Sequence, residues 1–409
     1  MPSLRARLGA LLAVPRQRDA RVYAVASVID ALGNAMFLPV SALFFVNVAG
    51  LPTTQVGLGL SIAGFAGLAG PLLGGPWVDR AGARRPVLLL HLVRAGLYAC
   101  YPLVRGFWPF VALVAVTSVV DHMARPALQA MVAGLTDEAD RITTLAFVRS
   151  VRNIGWGVGG LVVAGALAVG GRGAYVALVL ANAATFVVAA ALLARVRDVR
   201  VPPSGAPPVG YRAVLRDRRF VVLAALHGLL TLHLSVLLIG FPLWIDQRTA
   251  APAWVAGAVF ALNSFMVVFL QVPFSRRATT VAGGGRALRN SGLALFAACA
   301  LLALTPGLPV WPAVGLLLVI GVVECVGEIS EGVGGWGVSL GLAPAHARGR
   351  YLGLWELGFA AHYIGGPVLM AFIVEDAGPA GWLVLGAALA VVGAVAQRVA
   401  ARAPVPATA

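Results

Sequence analysis

Several ionisable side chains lie inside long apolar stretches of the sequence. Asp30 lies in the first stretch, and Asn34 follows one helical turn later on the same face. A charged side chain at the centre of a bilayer costs about 3 kcal/mol on insertion scales, so residues of this kind are usually paired or functional. Asp30 is therefore a candidate to carry a proton or to contact a substrate. The alternative is a structural hydrogen bond to a neighbouring helix.

Arginines accompany an aspartate in the third to fifth apolar stretches. Asp121 and Arg125 share one helical face at i and i+4, and Arg94, Arg149 and Arg152 lie at comparable depth. Arginine stays protonated in proteins, and buried cations of this kind cannot all remain unpaired. One interpretation is a buried cluster in which arginines hold Asp121 ionised. The other is that a surplus arginine faces a cavity and attracts an anionic group of a substrate.

Three glutamates follow one stripe of the tenth stretch. Glu324, Glu328 and Glu331 are spaced i, i+4 and i+7, so one helix would present all three on one side. Glu324 is the deepest of them and is a candidate proton carrier. We expect Glu331, and Glu356 in the next stretch, to lie near the membrane surface, where they could form gate ion pairs with the arginines of residues 348–350.

Three histidines also fall in apolar stretches of the second half, namely His227, His233 and His362. A buried histidine is more often a satisfied polar packing residue than a proton carrier, so both interpretations stay open. Asp30 and Glu324, one in each half of the chain, are accordingly the predicted proton-coupling residues.

The composition of the chain indicates an integral membrane protein. Of 409 residues, 60% are hydrophobic and 11% are charged, and the mean hydropathy is +0.89. A soluble domain of this size could not bury so much apolar surface, which excludes soluble enzymes and secreted scaffolds. The formal charge is +15 and every basic residue is arginine. Because most of the arginines lie between apolar stretches, they indicate membrane topology and not a nucleic-acid partner.

The apolar stretches predict an all-α integral membrane protein with twelve transmembrane helices in two six-helix bundles. Each stretch approaches or exceeds the roughly 20 residues that span a bilayer, and continuous runs of this kind favour helices over barrel strands. The predicted helices cover residues 22–47, 55–77, 86–104, 108–133, 143–168, 174–194, 220–244, 254–274, 287–305, 310–333, 351–373 and 380–398.

A Pro- and Arg-rich segment divides the chain. We predict bundles over 1–194 and 220–409, joined by a linker over 195–219 that is either simply solvated or in contact with anionic lipid. The halves resemble weak repeats, which are typical of secondary transporters that bind substrate between them.

The arginines also set the orientation. Most of them fall on one side of the predicted helices, so the positive-inside rule places both termini in the cytoplasm of a multi-pass protein of the cytoplasmic membrane. The outside loops hold only Arg105, Arg172 and Arg248.

One segment identifies a family. Residues 75–85 read GPWVDRAGARR and lie between predicted helices 2 and 3. The segment resembles the loop motif G-x-x-x-D-R-x-G-R-R/K of the major facilitator superfamily. The matching residues are Gly75, Asp79, Arg80, Gly82 and Arg84. The resemblance implies a gate latch that holds the outward-facing state and breaks on rocking. The alternative is a charged loop that only sets topology.

Further stretches over essentially the whole chain resemble the bacterial drug and metabolite exporters of that superfamily. The resemblance implies a secondary active transporter that works by alternating access, with proton-coupled efflux as the leading expectation. Gly160 stands where many antiporters of the superfamily have proline, which favours the alternative of a proton symporter or facilitator for uptake. A non-transporting receptor or scaffold is the remote alternative.

The expected partners are a small-molecule substrate, protons and the lipid bilayer, and we expect a monomer. The chain has no H-E-x-x-H or G-x-x-x-x-G-K-[ST] motif, and no enzyme, metal site or cofactor is predicted. The residues predicted to line a substrate cavity are Asn34, Arg94, Asp121, Arg125, Arg149, Arg152, His233, Glu328 and His362.

Overall fold

The computed structural model describes residues 17–135, 138–197, 211–275, 280–344 and 348–402. The side chains of some helical residues also lie outside the described part, among them those of Asp79, Arg125 and Arg149, and so do the surroundings of Gly75. Every element in the described part is helical, in agreement with the all-α prediction.

The described residues of the first half form eight α-helices. Two of them lie in the first apolar stretch, because a short 3₁₀ turn over Leu38–Val40, which contains Pro39, separates α1 from α2. The bounds are α1 Arg18–Phe37, α2 Ser41–Asn47, α3 Thr53–Gly67, α4 Ala69–Ala81, α5 Arg84–Cys100, α6 Phe107–Leu135, α7 Glu138–Val169 and α8 Gly171–Leu193.

The described residues of the second half form ten further α-helices. Short π-helical segments interrupt this half at Val236–Gly240, Ala361–Gly365 and Ile373–Ala377. The bounds are α9 Tyr211–Arg216, α10 Arg218–Leu230, α11 Leu232–Ser235, α12 Phe241–Arg248, α13 Trp254–Ser275, α14 Val281–Leu302, α15 Val310–Leu342, α16 Arg348–Glu356, α17 Gly366–Phe372 and α18 Gly378–Ala401.

All twelve predicted stretches fall on helical segments, but several bounds differ. Helix α14 begins at Val281, six residues before the predicted start at 287, and α15 runs on to Leu342, beyond the predicted end at 333. Within the described residues, nine helical stretches are long and apolar enough to cross a membrane. Twelve spans therefore stay a prediction.

Backbone proximity groups the chain into two compact units. The first comprises Met1–Gln55 and Ile62–Gly205, and the second comprises Val56–Ser61 and Ala206–Ala409. The predicted linker is not extended throughout, because α9 lies within it. Residues 198–210 of the linker lie outside the described part.

In the first unit, α1 packs against α7 and α8, and α5 packs against α6 and α8. Two glycines of α7 allow its close approach to α1. A Cβ atom on Gly155 would lie 2.9 Å from the carbonyl oxygen of Val28, and one on Gly159 would lie 2.9 Å from that of Leu32. Small residues at such positions let helix backbones meet.

In the second unit, α14 packs against α15 and α18, while α13 packs against α15. The α14–α15 crossing is again made by glycines, since a Cβ atom on Gly284 would lie 2.9 Å from the carbonyl oxygen of Gly334. Helix α15 therefore has neighbours on two sides, and it carries the three glutamates singled out from the sequence.

Candidate functional site

The first unit contains a buried ion-pair cluster centred on Arg94 of α5. Its Nη1 atom donates to Oδ1 of Asp30 on α1 at 3.1 Å, and its Nε atom donates to Oδ1 of Asp121 on α6 at 2.5 Å. The guanidinium also lies 3.9 Å from the ring centre of Phe186, a cation–π contact that fixes its plane. One arginine thus joins two aspartates from two other helices.

Asp30 has further cationic and polar neighbours. Arg152 of α7 donates from Nη1 to Oδ2 of Asp30 at 3.2 Å, and Nε2 of His91 lies 3.8 Å from Oδ1. Arg152 precedes Gly155 by about one helical turn, so the close α7–α1 contact brings it to the carboxylate. The two guanidinium groups balance the negative charges of Asp30 and Asp121.

Two polar side chains complete this cluster. Asn34 accepts from Nη2 of Arg94 at 3.3 Å and donates to the backbone carbonyl of Asp30 at 2.8 Å. The hydroxyl of Tyr98 donates to Oδ2 of Asp121 at 3.2 Å. The predicted cluster of Asp121 with arginine is therefore present. The described arginine that binds Asp121 is Arg94, which comes from another helix. The side chains of Arg125 and Arg149, the other predicted members, lie outside the described part.

The second unit contains a cluster of different chemistry. Nδ1 of His233 on α11 lies 3.0 Å from Oε1 of Glu324 on α15, and both side chains are buried. The amide of Asn263 on α13 donates to Oε2 of Glu324 at 3.0 Å and to Oε2 of Glu328 at 2.8 Å. Among the described residues, no arginine forms an ion pair with these carboxylates.

Glu331 belongs to the same cluster, which corrects the expectation of a surface position; the side chains of Arg348 and Arg350, its expected partners, lie outside the described part. Its side chain is buried, with Oε1 at 2.5 Å from Nε2 of His227 and Oε2 at 3.8 Å from Nε2 of His233. The physical reason is that α15 extends to Leu342, well beyond the predicted end at 333. Glu331 therefore lies far from the end of the helix and faces α10 and α11.

Donor atoms of His233, Glu324 and Glu328 lie within 4.8 Å of one another, close enough for a cation to bridge them. However, the Asn263 amide donates N–H groups to both carboxylates and occupies the position from which a cation would bind them. A metal ion there would face these hydrogens, so we do not assign a metal to the cluster.

His362 lies apart from the glutamates. It is buried, and its Nδ1 atom lies 2.6 Å from Oγ of Ser235, which also donates to its backbone carbonyl at 3.2 Å. Gly366 leaves room for the Ser235 side chain, because a Cβ atom there would lie 2.7 Å from Cβ of Ser235. This pair ties α11 to the π-helical segment over Ala361–Gly365.

The predicted gate motif lies at the α4–α5 turn. Gly82 adopts a φ of +76°, a left-handed conformation that favours glycine, and Arg80 is exposed. Arg84 donates from Nη2 to the backbone carbonyl of Ala194, just past the end of α8. It thus satisfies a helix C-terminus, where a cation is favourable. The surroundings of Gly75 and the side chain of Asp79 lie outside the described part.

A family model described as Major Facilitator Superfamily matches residues 23–340. The chain belongs to the Major Facilitator Superfamily. Its members are transporters and not enzymes, so this protein is an integral membrane transporter, in agreement with the resemblance seen at residues 75–85.

Two curated relatives cover most of the chain. The multidrug resistance protein MdtH of Edwardsiella ictaluri (strain 93-146) is 26% identical over 339 residues, which is 80% of each chain. MdtH of Aeromonas hydrophila subsp. hydrophila is 27% identical over 383 residues, covering 89% of this chain and 90% of the relative.

Solved structures share the fold at low identity. The nucleoside transporter NupG has a TM-score of 0.74 at 14% identity and covers 95% of this chain and 100% of its own. A POT family transporter in complex with a thioalcohol-conjugated peptide has a TM-score of 0.75 at 13% identity, with coverage of 94% and 98%. At this identity the likeness concerns the major facilitator fold alone.

No role was predicted from the sequence for His91 or Tyr98, which contact the two aspartates of the first unit. Tyr98 lies one helical turn after Arg94 on the same face of α5, a spacing that could have indicated it. His91 lies three residues before Arg94, and this helical spacing could have indicated it as well.

Proposed function

We propose that this transporter exports small drug-like or metabolite molecules from the cytoplasm in exchange for protons. In this proposal the bundles over 1–194 and 220–409 rock about the linker in the cytoplasmic membrane, with both termini cytoplasmic. The observation that carries the proposal is the position of His233, whose two ring nitrogens face carboxylate oxygens of Glu324 at 3.0 Å and Glu331 at 3.8 Å.

A neutral imidazole has one N–H group and one lone pair. With both carboxylates ionised, His233 would turn its lone pair toward one of them, which is unfavourable in a buried site. One additional proton, on the imidazole or on a glutamate, removes this conflict. Three glutamates and two imidazoles without an arginine partner in the described structure thus form a site that can take up and release protons.

The first unit has the opposite character. Arg94 and Arg152 compensate Asp30 and Asp121 directly, so these carboxylates need no proton. We therefore assign proton coupling to Glu324 and its neighbours, and a positioning role to Asp30. Arg152 and Glu328 are partly exposed members of the two clusters, so they are ionisable groups that a substrate or water can reach.

The names of the curated relatives support export as the direction of transport. Both curated relatives carry the name of a multidrug resistance protein, which favours export.

The test begins in cells. Bacterial cells that lack their own exporters should grow at higher concentrations of at least one compound in a panel of antibiotics and dyes when they express the wild-type chain. A protonophore should abolish the reduced accumulation of that compound. Greater accumulation in expressing cells would establish uptake instead, and the export proposal would be withdrawn.

The second step uses proteoliposomes loaded with that compound. An imposed pH gradient should drive its transport by the wild-type chain. Glu324→Gln should lose gradient-driven transport but retain exchange of labelled for unlabelled compound, because exchange need not release the proton. Asp376→Asn, which changes an exposed carboxyl group on the predicted outer side, is the matched control and should behave as wild type. Normal gradient-driven transport by Glu324→Gln would refute the coupling site.

A further inference from the structure

A groove opens in the second unit between α13 and α14, over α15. It has a volume of about 400 Å³, and its lining includes Phe274, Arg286, Arg289, Asn290, Ser330 and Val333. None of His233, Glu324 and Glu328 of the glutamate–histidine cluster lines this groove.

The early start of α14 places two arginines on a membrane helix. Arg286 lies just before the predicted start of this helix at 287 and Arg289 just after it. Helix α14 already begins at Val281, and the Thr280 hydroxyl caps it by accepting from the backbone N–H of Gly283. At 1.5 Å per residue the two arginines lie roughly 8 and 12 Å along the helix axis from its first residue. This end of α14 is on the arginine-rich side, which the topology prediction places in the cytoplasm.

Neither arginine has an anionic partner within the described ranges. The guanidinium of Arg289 donates to Oδ1 of the neutral Asn290, at 3.2 Å from Nε and 2.9 Å from Nη2. This contact orients the guanidinium without balancing its charge. Arg286 is exposed and forms no ion pair with a described carboxylate. The groove therefore holds two uncompensated, permanently charged cations.

Further along α14, the helix face that carries the two arginines becomes apolar. Leu293 and Phe296 follow Arg286 and Arg289 by seven residues each, about two helical turns, and both are exposed. Phe274 of α13 and Val333 of α15 add apolar walls within the groove. A cationic mouth above an apolar stripe matches a molecule with a phosphate at one end and an acyl chain at the other.

We propose that this groove binds an anionic phospholipid of the cytoplasmic leaflet. Guanidinium groups bind phosphate in a bidentate manner, and basic pockets between transmembrane helices on the cytoplasmic side suit lipid headgroups. Arg286 and Arg289 contact the phosphate, the buried Ser330 hydroxyl is a further donor, and Leu293 and Phe296 contact the acyl chain.

The test measures the melting temperature of the purified full chain in detergent. Dioctanoyl phosphatidylglycerol should raise it more than dioctanoyl phosphatidylcholine, and inorganic phosphate at the same concentration should have little effect. Arg286→Gln/Arg289→Gln should weaken the response to phosphatidylglycerol about tenfold or more in concentration, since each lost charge near a lipid surface weakens binding.

Two controls accompany it. Arg195→Gln/Arg216→Gln removes two exposed arginines from the same predicted side and should respond as wild type. Arg286→Lys/Arg289→Lys keeps both charges and should retain most of the response, even if the glutamine variant does not fold. An equal response to both lipids, or a loss of response in the Arg195/Arg216 variant alone, would overturn the site. An equal response to inorganic phosphate would show a free-anion site and overturn the lipid assignment.

Discussion

His233 and Glu324 form a buried imidazole–carboxylate pair, with Nδ1 and Oε1 separated by 3.0 Å. The corresponding contact of the first unit is the 2.5 Å bond from Arg94 to Asp121. An arginine partner is always charged, whereas a histidine partner can be either neutral or charged. The two clusters therefore differ in the property that proton coupling requires, although both place a carboxylate of a long helix against a basic side chain.

Removing Arg94 should unfold the first unit at lower temperature. Arg94→Gln leaves Asp30 and Asp121 with less compensating charge, and breaking a buried ion pair from one side costs about 3–5 kcal/mol. The melting temperature in detergent measures the effect. Asp121→Asn/Arg94→Gln should recover part of the loss because it also removes a carboxylate. Arg172→Gln, which changes an exposed arginine, should leave the melting temperature unchanged. A wild-type melting temperature for Arg94→Gln would contradict a stabilising role for the cluster.

Much of the architecture could be predicted from the sequence, because continuous apolar stretches in a membrane must be helical. The partners of the charged residues could not. Asp121 shares a helical face with Arg125, but its described partner is Arg94, which depends on how α5 and α6 meet. Glu331 was placed near the surface because an apolar stretch of usual length would end there, whereas α15 continues through Gly-rich sequence to Leu342. Hydropathy gives no information about such packing.

The α7 glycines should be essential for the α1–α7 contact. Gly155→Ala would place Cβ at 2.9 Å from the carbonyl oxygen of Val28, and overpacking of this kind costs about 1–3 kcal/mol. The displacement should also separate Arg152 from Asp30. Gly165→Ala on the same helix meets nothing within 4 Å and is the matched control. We expect a lower melting temperature and weaker transport for Gly155→Ala only. Equal behaviour of the two variants would show that the contact tolerates a methyl group.

Gly335 makes room for His227. A Cβ atom at this position would contact the imidazole, with its Cδ2 atom at 2.8 Å, and would push Nε2 away from Glu331. Gly335→Ala should therefore disrupt the second cluster and reduce gradient-driven transport severalfold. Gly332→Ala, three residues earlier on α15, faces open space and should retain transport. Full transport by Gly335→Ala would mean that the His227–Glu331 contact is dispensable.

Arg84 should influence the conformational cycle through the end of α8. Arg84→Ala removes the donor to the Ala194 carbonyl, and Arg84→Lys keeps the charge at the helix terminus. Together with Asp79→Asn, Arg84→Ala should impair cycling more than expression. Accessibility of introduced cysteines should shift toward the inward-facing state, with Arg84→Lys intermediate. Arg85→Ala changes an exposed neighbour and serves as control. Unchanged accessibility with normal transport would reduce the motif to a topology element.

Asp30→Asn and Glu324→Gln should behave differently in a coupling assay, although the sequence predicts both residues to be proton carriers. Asp30 contacts two guanidinium groups, which hold it ionised, so Asp30→Asn should lower stability but leave the remaining transport dependent on the pH gradient. Glu324 contacts His233 and Asn263, which do not fix its charge, so Glu324→Gln should fold normally yet lose that dependence. Both variants are compared in proteoliposomes, with transport normalised to the folded fraction. Gradient-independent transport by Asp30→Asn would return the carrier to the first unit, because only a group that exchanges protons during the cycle can abolish coupling when it is neutralised.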